Sequence, residues 1–214
     1  MKVSVVVPVK DGADHLAAAL ASLRSALRPP DELVVVDDHS ADGSAELARG
    51  LGAKVVTNRG HGPAAARNTG VAATVGELVG FLDADDVATP DRLRLQAGLL
   101  ETGADLEIAA GLARDVLDPM VPSTTPGLRT FTAGTMLVRR TTWARVGDLD
   151  DALVAGEVVD WVARARRLGV RWALHDDVVL LRRVHGANHS GSEQARAGYL
   201  DLARAAIRRS RGQP

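Results

Sequence analysis

The front of the chain alternates between two periodicities. The segment VSVVVPV (Val3–Val9) is a continuous β-branched run, as carried by a strand buried on both faces of a parallel sheet. From Asp14 to Leu27 the spacing turns helical, with Leu16, Leu20, Leu23 and Leu27 on one stripe, and Pro29 and Pro30 stop it. ELVVVDD then predicts a second strand, DGSAELARGLG a helix closing on Gly52, and AKVVTN a third strand. GPAAARNTGVAATVG reads as a helix from Pro63, and ELVGFLDADD as a fourth strand. TPDRLRLQAGLLETG reads as a helix with Thr89 as its cap and Pro90 in its first turn. This alternation predicts right-handed βαβ units and an α/β fold with a mostly parallel, Rossmann-like sheet flanked by helices.

The back of the chain is less regular. DLEIAAGLARDVL and GTMLVRR read as strands, and DPMVPSTTPGL (Asp118–Leu128) as a loop that orders over a bound ligand as a lid. TTWARVGDLDD reads as a short helix and turn, EVVDWVARARRLG as a helix ending at Gly169, and VRWALH and VVLLRRVH as two strands. SEQARAGYLDLARAAIRRSRG reads as a basic amphipathic tail helix. A solvated face is its first reading, and peripheral contact with an anionic membrane its second. No repeat or linker divides the chain, so the expectation is a single domain over residues 1–214, with a nucleotide-binding front half (1–103) and an acceptor-side back half (104–214).

Composition narrows the classes. The 214 residues suffice for one sizeable core. A formal net charge of −1 gives no global field for nucleic acid, and with 3% aromatic residues a stacking surface for single strands is not expected. Cysteine is absent, which excludes disulfides and thiolate metal sites. The opening MKVSVVVPVKDG is interrupted too early for a signal peptide, and no apolar run reaches the roughly 18 residues of a membrane span. The expectation is a soluble cytoplasmic protein.

The carboxylates supply the chemistry. In an open α/β sheet, ligands collect at the carboxyl ends of the strands. The second strand runs out into Asp37, Asp38, His39 and Ser40, and the fourth into Asp83, Ala84, Asp85 and Asp86. Like charges so close repel one another, and a hard divalent cation turns that repulsion into binding. Mg²⁺ or Mn²⁺ takes one or two protein carboxylates and completes its shell with substrate phosphates. The competing reading is loop solvation plus a helix cap.

Four stretches, VSVVVPVKDGADHLAAALASL, ELVVVDDHSADGS, GPAAARNTGVAATVGELVGFLDADDVATPDRL and GTMLVRRTTWARVGDLDD, together resemble family 2 glycosyltransferases of the GT-A fold. The resemblance implies an inverting transferase that uses a nucleotide-diphosphate sugar, UDP- or dTDP-linked, and Mn²⁺ or Mg²⁺. It puts Pro8 and Val9 along the nucleotide, Asp38 on the base, Arg67 near the phosphates, and Asp83 and Ala84 on the ribose or donor sugar. It makes Asp85 the first metal ligand and His185 a further one or a diphosphate contact, with Arg182 and Arg183 toward phosphate. Asp86 reads as a supporting or capping residue. The acceptor is a glycan, a lipid-linked sugar or a small molecule.

An inverting transfer needs a general base for the acceptor hydroxyl. The resemblance places it in AGEVVDWVARARRLG, where Glu157 ranks first and Asp160 second, because Val158 stands where many members carry Asp. Trp143 and Trp161 read first as core and second as sugar-stacking platforms. Two other functions compete: a non-catalytic nucleotide-sugar binder or partner subunit, and a nucleotidyltransferase. The latter is disfavoured because PVKDGADHL lacks a glycine-rich phosphate loop. A dinucleotide oxidoreductase is disfavoured because no G-x-G-x-x-G follows the first strand.

Overall fold

A computed structural model describes residues 1–28, 31–119 and 123–184. The stretch expected to form a tail helix, His185 and His189 lie outside the described residues. The elements are β1 (Val3–Val9), α1 (Ala13–Ala26), β2 (Glu32–Asp37), α2 (Ser44–Gly50), β3 (Lys54–Thr57), α3 (Gly62–Ala72) and β4 (Leu78–Phe81). They continue with β5 (Val87–Ala88), α4 (Arg92–Thr102), β6 (Ile108–Val116), β7 (Met136–Arg139), α5 (Arg140–Val146), α6 (Glu157–Arg167) and β8 (Trp172–Arg183).

The eight strands form one sheet in the order β3-β2-β1-β4-β7-β6-β8-β5. β3, β2, β1 and β4 run parallel, as the alternation predicts. The sheet then turns mixed: β7 is antiparallel to both β4 and β6, β8 is parallel to β6, and β5 is antiparallel to β8. The parallel block brings the carboxyl ends of β2, β1 and β4 side by side.

Side-chain alternation along β1 splits the interior into two layers. Val3, Val5, Val7 and Val9 pack with Leu16, Leu20 and Leu23 of α1 and with Leu93 and Leu100 of α4. Val6 faces the other way, into a layer built by α3, α5 and α6 with Val34, Val36, Trp143 and Trp161. There Phe81, Trp143 and Trp161 form a row with ring centroids 5.3 and 5.1 Å apart, and both indoles are buried. Their N–H groups donate to Asp148 and to the Gly147 carbonyl. The tryptophans are core residues that also fix the loop between α5 and α6.

Two local expectations need correction. Thr89 does not cap α4. The helix starts at Arg92 with Asp91 at the N-cap, and the Thr89 hydroxyl donates instead to the Val178 carbonyl of β8. Pairing with β8 through β5 holds that hydroxyl on the sheet, so the helix begins two residues later, at Arg92. VRWALH and VVLLRRVH are not separate strands. Residues of both belong to the single strand β8 (Trp172–Arg183), interrupted by register shifts opposite Gly111, where a Cβ would lie 2.6 Å from Val179 Cγ1.

Candidate active site

The loops beyond β1 and β2 are stitched together first. The Asp42 carboxylate accepts the Ala13 N–H at 2.8 Å and both the N–H and the hydroxyl of Ser44, whose oxygen in turn accepts the Gly12 N–H. Hydrogen bonds from Ser44 and Ala13 hold the Asp42 carboxyl below its ordinary pKa against a slight opposing effect of burial. Across the same gap the Asp11 N–H donates to the Ser40 hydroxyl oxygen, and the Asp11 carboxylate accepts the Ala41 N–H. The start of α1 and the end of β2 therefore form one rim beside Pro8 and Val9. The Asp38 N–H extends the ladder to the Val9 carbonyl at 2.8 Å.

Asp38 is buried at the end of β2. Its carboxylate accepts Asn58 Nδ2 at 2.7 Å and the Gly62 N–H at 2.9 Å, so β3 and the start of α3 orient it. Asn58 is itself locked by Thr69, whose hydroxyl donates to Asn58 Oδ1 at 3.1 Å. Asp38 is among the site residues expected from the sequence, whereas its partner Asn58 is not. The available signal was an amide standing alone at the end of the AKVVTN run.

The second half of the site gathers around Arg67. This guanidinium on α3 is buried, donates to Asp83 at 2.6 Å and to Glu157 at 2.8 Å, and so links the end of β4 to the first turn of α6. Burial alone would lower the Arg67 pKa, but Asp83 and Glu157 more than offset it and raise it. Asn68 supports the arrangement by exchanging bonds with the backbone of Leu149 at 2.9 and 3.0 Å, which anchors the segment leading to α6. Gly156, at φ 83, ends that segment in a left-handed conformation that turns Glu157 inward. Asp160 points elsewhere: it pairs with Arg164 at 2.8 Å, and Arg164 caps the carbonyls of Val146 and Asp148. Of the two base candidates, the structure brings only Glu157 to Asp83.

Asp83, Asp85 and Asp86 follow β4 as a tight turn closed by the Asp86 N–H on the Asp83 carbonyl at 3.1 Å. Asp83 and Asp85 are partly exposed and Asp86 is buried. Burial, then the neighbouring Asp83 and Asp85, push the Asp86 carboxyl up to about 8. One Asp86 oxygen accepts the Arg183 N–H at 3.0 Å, and the Arg183 side chain reaches the Asp85 carbonyl at 3.2 Å. Arg182 instead forms a two-pronged pair with Asp115. Beneath the turn, Arg92 donates to the Phe81 carbonyl at 2.8 Å and to Gln96, entirely buried. Burial lowers its pKa to about 10, against the opposing pull of Asp86 and Asp83. Arg92 was legible only as a charge on the face of α4 that also carries Leu93, Gln96 and Leu100. The turn gathers three carboxylates, of which Asp83 is already paired with Arg67 and Asp86 is buried, so Asp85 is the carboxylate whose chemistry fits a hard divalent cation. An open cleft of about 720 Å³ lies beyond Arg183, lined by Asp115, Leu117, Asp118, Thr125 and Val184 among the described residues.

Comparison with known proteins decides the family. The model of glycosyl transferase family 2 matches residues 4–127, more than half of the chain. The chain belongs to glycosyl transferase family 2. Succinoglycan biosynthesis protein ExoU of Rhizobium meliloti is 43% identical over an alignment of 99 residues that covers 42% of this chain and 28% of that protein. Glycosyltransferase AglE of Haloferax volcanii is 28% identical over 200 residues, covering 83% of this chain and 65% of the relative. The chain thus spans under two thirds of the length of these relatives. The fold is shared with Staphylococcus aureus TarS 1-349 in complex with UDP-GlcNAc, at a TM-score of 0.76 and 22% identity over 90% of this chain and 61% of that one. It is shared equally with the mannosyltransferase PcManGT of Pyrobaculum calidifontis in complex with GDP-Man and Mn²⁺, at a TM-score of 0.76 and 19% identity over 95% and 64% of the two chains. The GT-A architecture expected from the sequence is the one found. Among the described residues no helix is long and apolar enough to cross a membrane.

Proposed function

We propose that this family 2 chain transfers a sugar, with inversion, from a nucleotide-diphosphate sugar to an acceptor hydroxyl, with Mn²⁺ or Mg²⁺ bound at Asp85. The observation that carries the reading is the Asp83–Arg67–Glu157 bridge. It holds a carboxylate of the aspartate turn and a carboxylate of α6 on one guanidinium, across the end of the sheet where donors bind in this architecture. Pro8 and Val9 line the nucleotide, and Asp38, fixed by Asn58 and Gly62, accepts the ring N–H of uracil or thymine. Asp83 and Ala84 face the ribose and donor sugar. Glu157 takes the acceptor's proton as the hydroxyl attacks the anomeric carbon, and Arg67 keeps that carboxylate at the reaction face. A bound divalent cation supplies Lewis-acid stabilisation of the diphosphate leaving group. The acceptor enters through the cleft beside Arg183.

Glu157→Gln separates catalysis from binding. Release of nucleoside diphosphate from a panel of UDP-, dTDP- and GDP-sugars is followed with Mn²⁺ present. The variant is expected to lose at least about a hundredfold in rate, the scale of a general base, with unchanged donor affinity. A specific observation favours a second reading: Val158, standing where many members carry Asp, is buried in the core and adds no second carboxylate. A wild-type protein that binds donor but never turns over, identically to Glu157→Gln, would establish the non-catalytic binder instead.

A further inference from the structure

A second set of metal-ligating side chains stands at the end of β2. One carboxylate oxygen of Asp38 and one ring nitrogen each of His39 and His61 all lie within 4.8 Å of one another. The two imidazoles are exposed and tilted against each other at 4.8 Å between centroids, above the buried Asp38. We infer that Asp38, His39 and His61 form a site for a borderline divalent cation of the Zn²⁺ class, distinct from the hard-cation site at Asp85, and that its occupancy opposes donor binding.

The donor set argues for the ion. Two imidazole nitrogens and one carboxylate suit Zn²⁺, whereas Mg²⁺ and Mn²⁺ prefer the all-oxygen set of the aspartate turn. Three protein ligands leave a fourth position for water.

The surroundings argue for a built site. His39 Nε2 lies 3.2 Å from the Gly60 carbonyl. When that nitrogen carries the proton, Nδ1 keeps the lone pair, which is the arrangement of a metal-bound histidine whose other ring nitrogen is tied to a carbonyl. Asp38 is likewise oriented by Asn58 and Gly62. His39 also adopts φ 60, a left-handed conformation that glycine or asparagine takes at lower cost. Ligands about 2.1 Å from one ion lie at most about 4.2 Å apart, so a small rotation of the exposed rings closes the cluster.

The functional consequence rests on the donor-site reading, because Asp38 is the carboxylate assigned there to the base. An ion on Asp38 and a base on Asp38 exclude each other.

Calorimetry with ZnCl₂ on tag-free, nucleotide-free protein tests the site. One saturable site is expected in the wild type and in Asp85→Asn, with affinity reduced at least tenfold in His61→Ala and in His39→Asn. Asparagine suits the φ at position 39, so the second variant keeps the fold. Absence of saturable Zn²⁺ binding, or binding that both histidine variants leave unchanged, overturns the site. UDP and dTDP are then titrated with Mn²⁺, with and without Zn²⁺. Zn²⁺ is expected to weaken nucleotide binding in the wild type and not in His61→Ala. Equal nucleotide binding with and without Zn²⁺ overturns the antagonism. Failure of nucleotide to bind in the Zn²⁺-free arm counts against the donor reading alone.

Discussion

Arg67 carries two functions on one side chain. It is both the bridge that holds Glu157 to the aspartate turn and a buried charge that the two carboxylates make tolerable. Arg67→Met removes the cation and leaves Asp83 and Glu157 facing one another. Breaking a buried ion pair costs about 3 kcal/mol or more, less here for the half that reaches Asp83, which water partly screens. The urea midpoint of Arg67→Met is therefore expected to fall, and an additional Glu157→Gln change is expected to recover part of the loss. An unchanged midpoint would show that the bridge stores no stability. Glu32 gives a pH signature. Burial works to raise its pKa, but hydrogen bonds from Ser4, Val75 and Gly76, with Lys2 nearby, lower it overall. A folded carboxyl held below its unfolded value contributes stability that is complete above the ordinary carboxylate range and is lost as pH falls through the folded value. Glu32→Gln is expected to flatten the acid limb of a stability profile while lowering stability near neutrality, and a parallel, merely shifted profile would contradict this.

At the scale of elements, α3 must lie unusually close to the sheet to deliver Arg67. Gly70 makes this approach possible: a Cβ there would sit 2.2 Å from Val6 Cγ1 and 3.0 Å from Val36 Cγ2. Gly70→Ala is expected to destabilise by about 1–3 kcal/mol, as overpacking does, and to weaken donor binding because the helix lifts. Thermal unfolding and nucleotide titration of the same variant check both, and neutral behaviour in either would deny the close approach. The elements of the front half were legible because each β-branched run and each leucine stripe reports burial directly. Local periodicity says nothing about long-range partners, and the misreadings follow from that. Thr89 has the chemistry of a cap, yet β8, distant in sequence, claims its hydroxyl. The bulge opposite Gly111 looked like a break between two strands because a register shift interrupts alternation as a turn does. β5 is too short for any period to show.

The whole molecule divides its work along the sheet. The parallel block from β3 to β4 collects Asp38 and the aspartate turn at one edge, and the mixed block from β7 to β5 brings α6 and Arg183 to meet it. That the aspartates of β2 and β4 share one edge was readable because the strand order of a parallel sheet makes distant termini neighbours. The Arg67 bridge was not readable, since no spacing in sequence reveals that a helix arginine reaches residues on β4 and α6 together. Asp160 shows the same limit: its carboxylate differs from that of Glu157 only in direction, and packing of α6 against the loop after α5 sets that direction. On the proposed reading, this edge binds a nucleotide-diphosphate sugar together with a divalent cation. Isothermal titration of UDP, dTDP and GDP, with Mn²⁺ or with chelator, on wild type and Asp85→Asn tests it most directly. Saturable binding of a pyrimidine diphosphate is expected, weakened at least tenfold both when Mn²⁺ is withheld and in Asp85→Asn. Binding that is indifferent to the cation and to Asp85, or absent for every nucleotide, would contradict it.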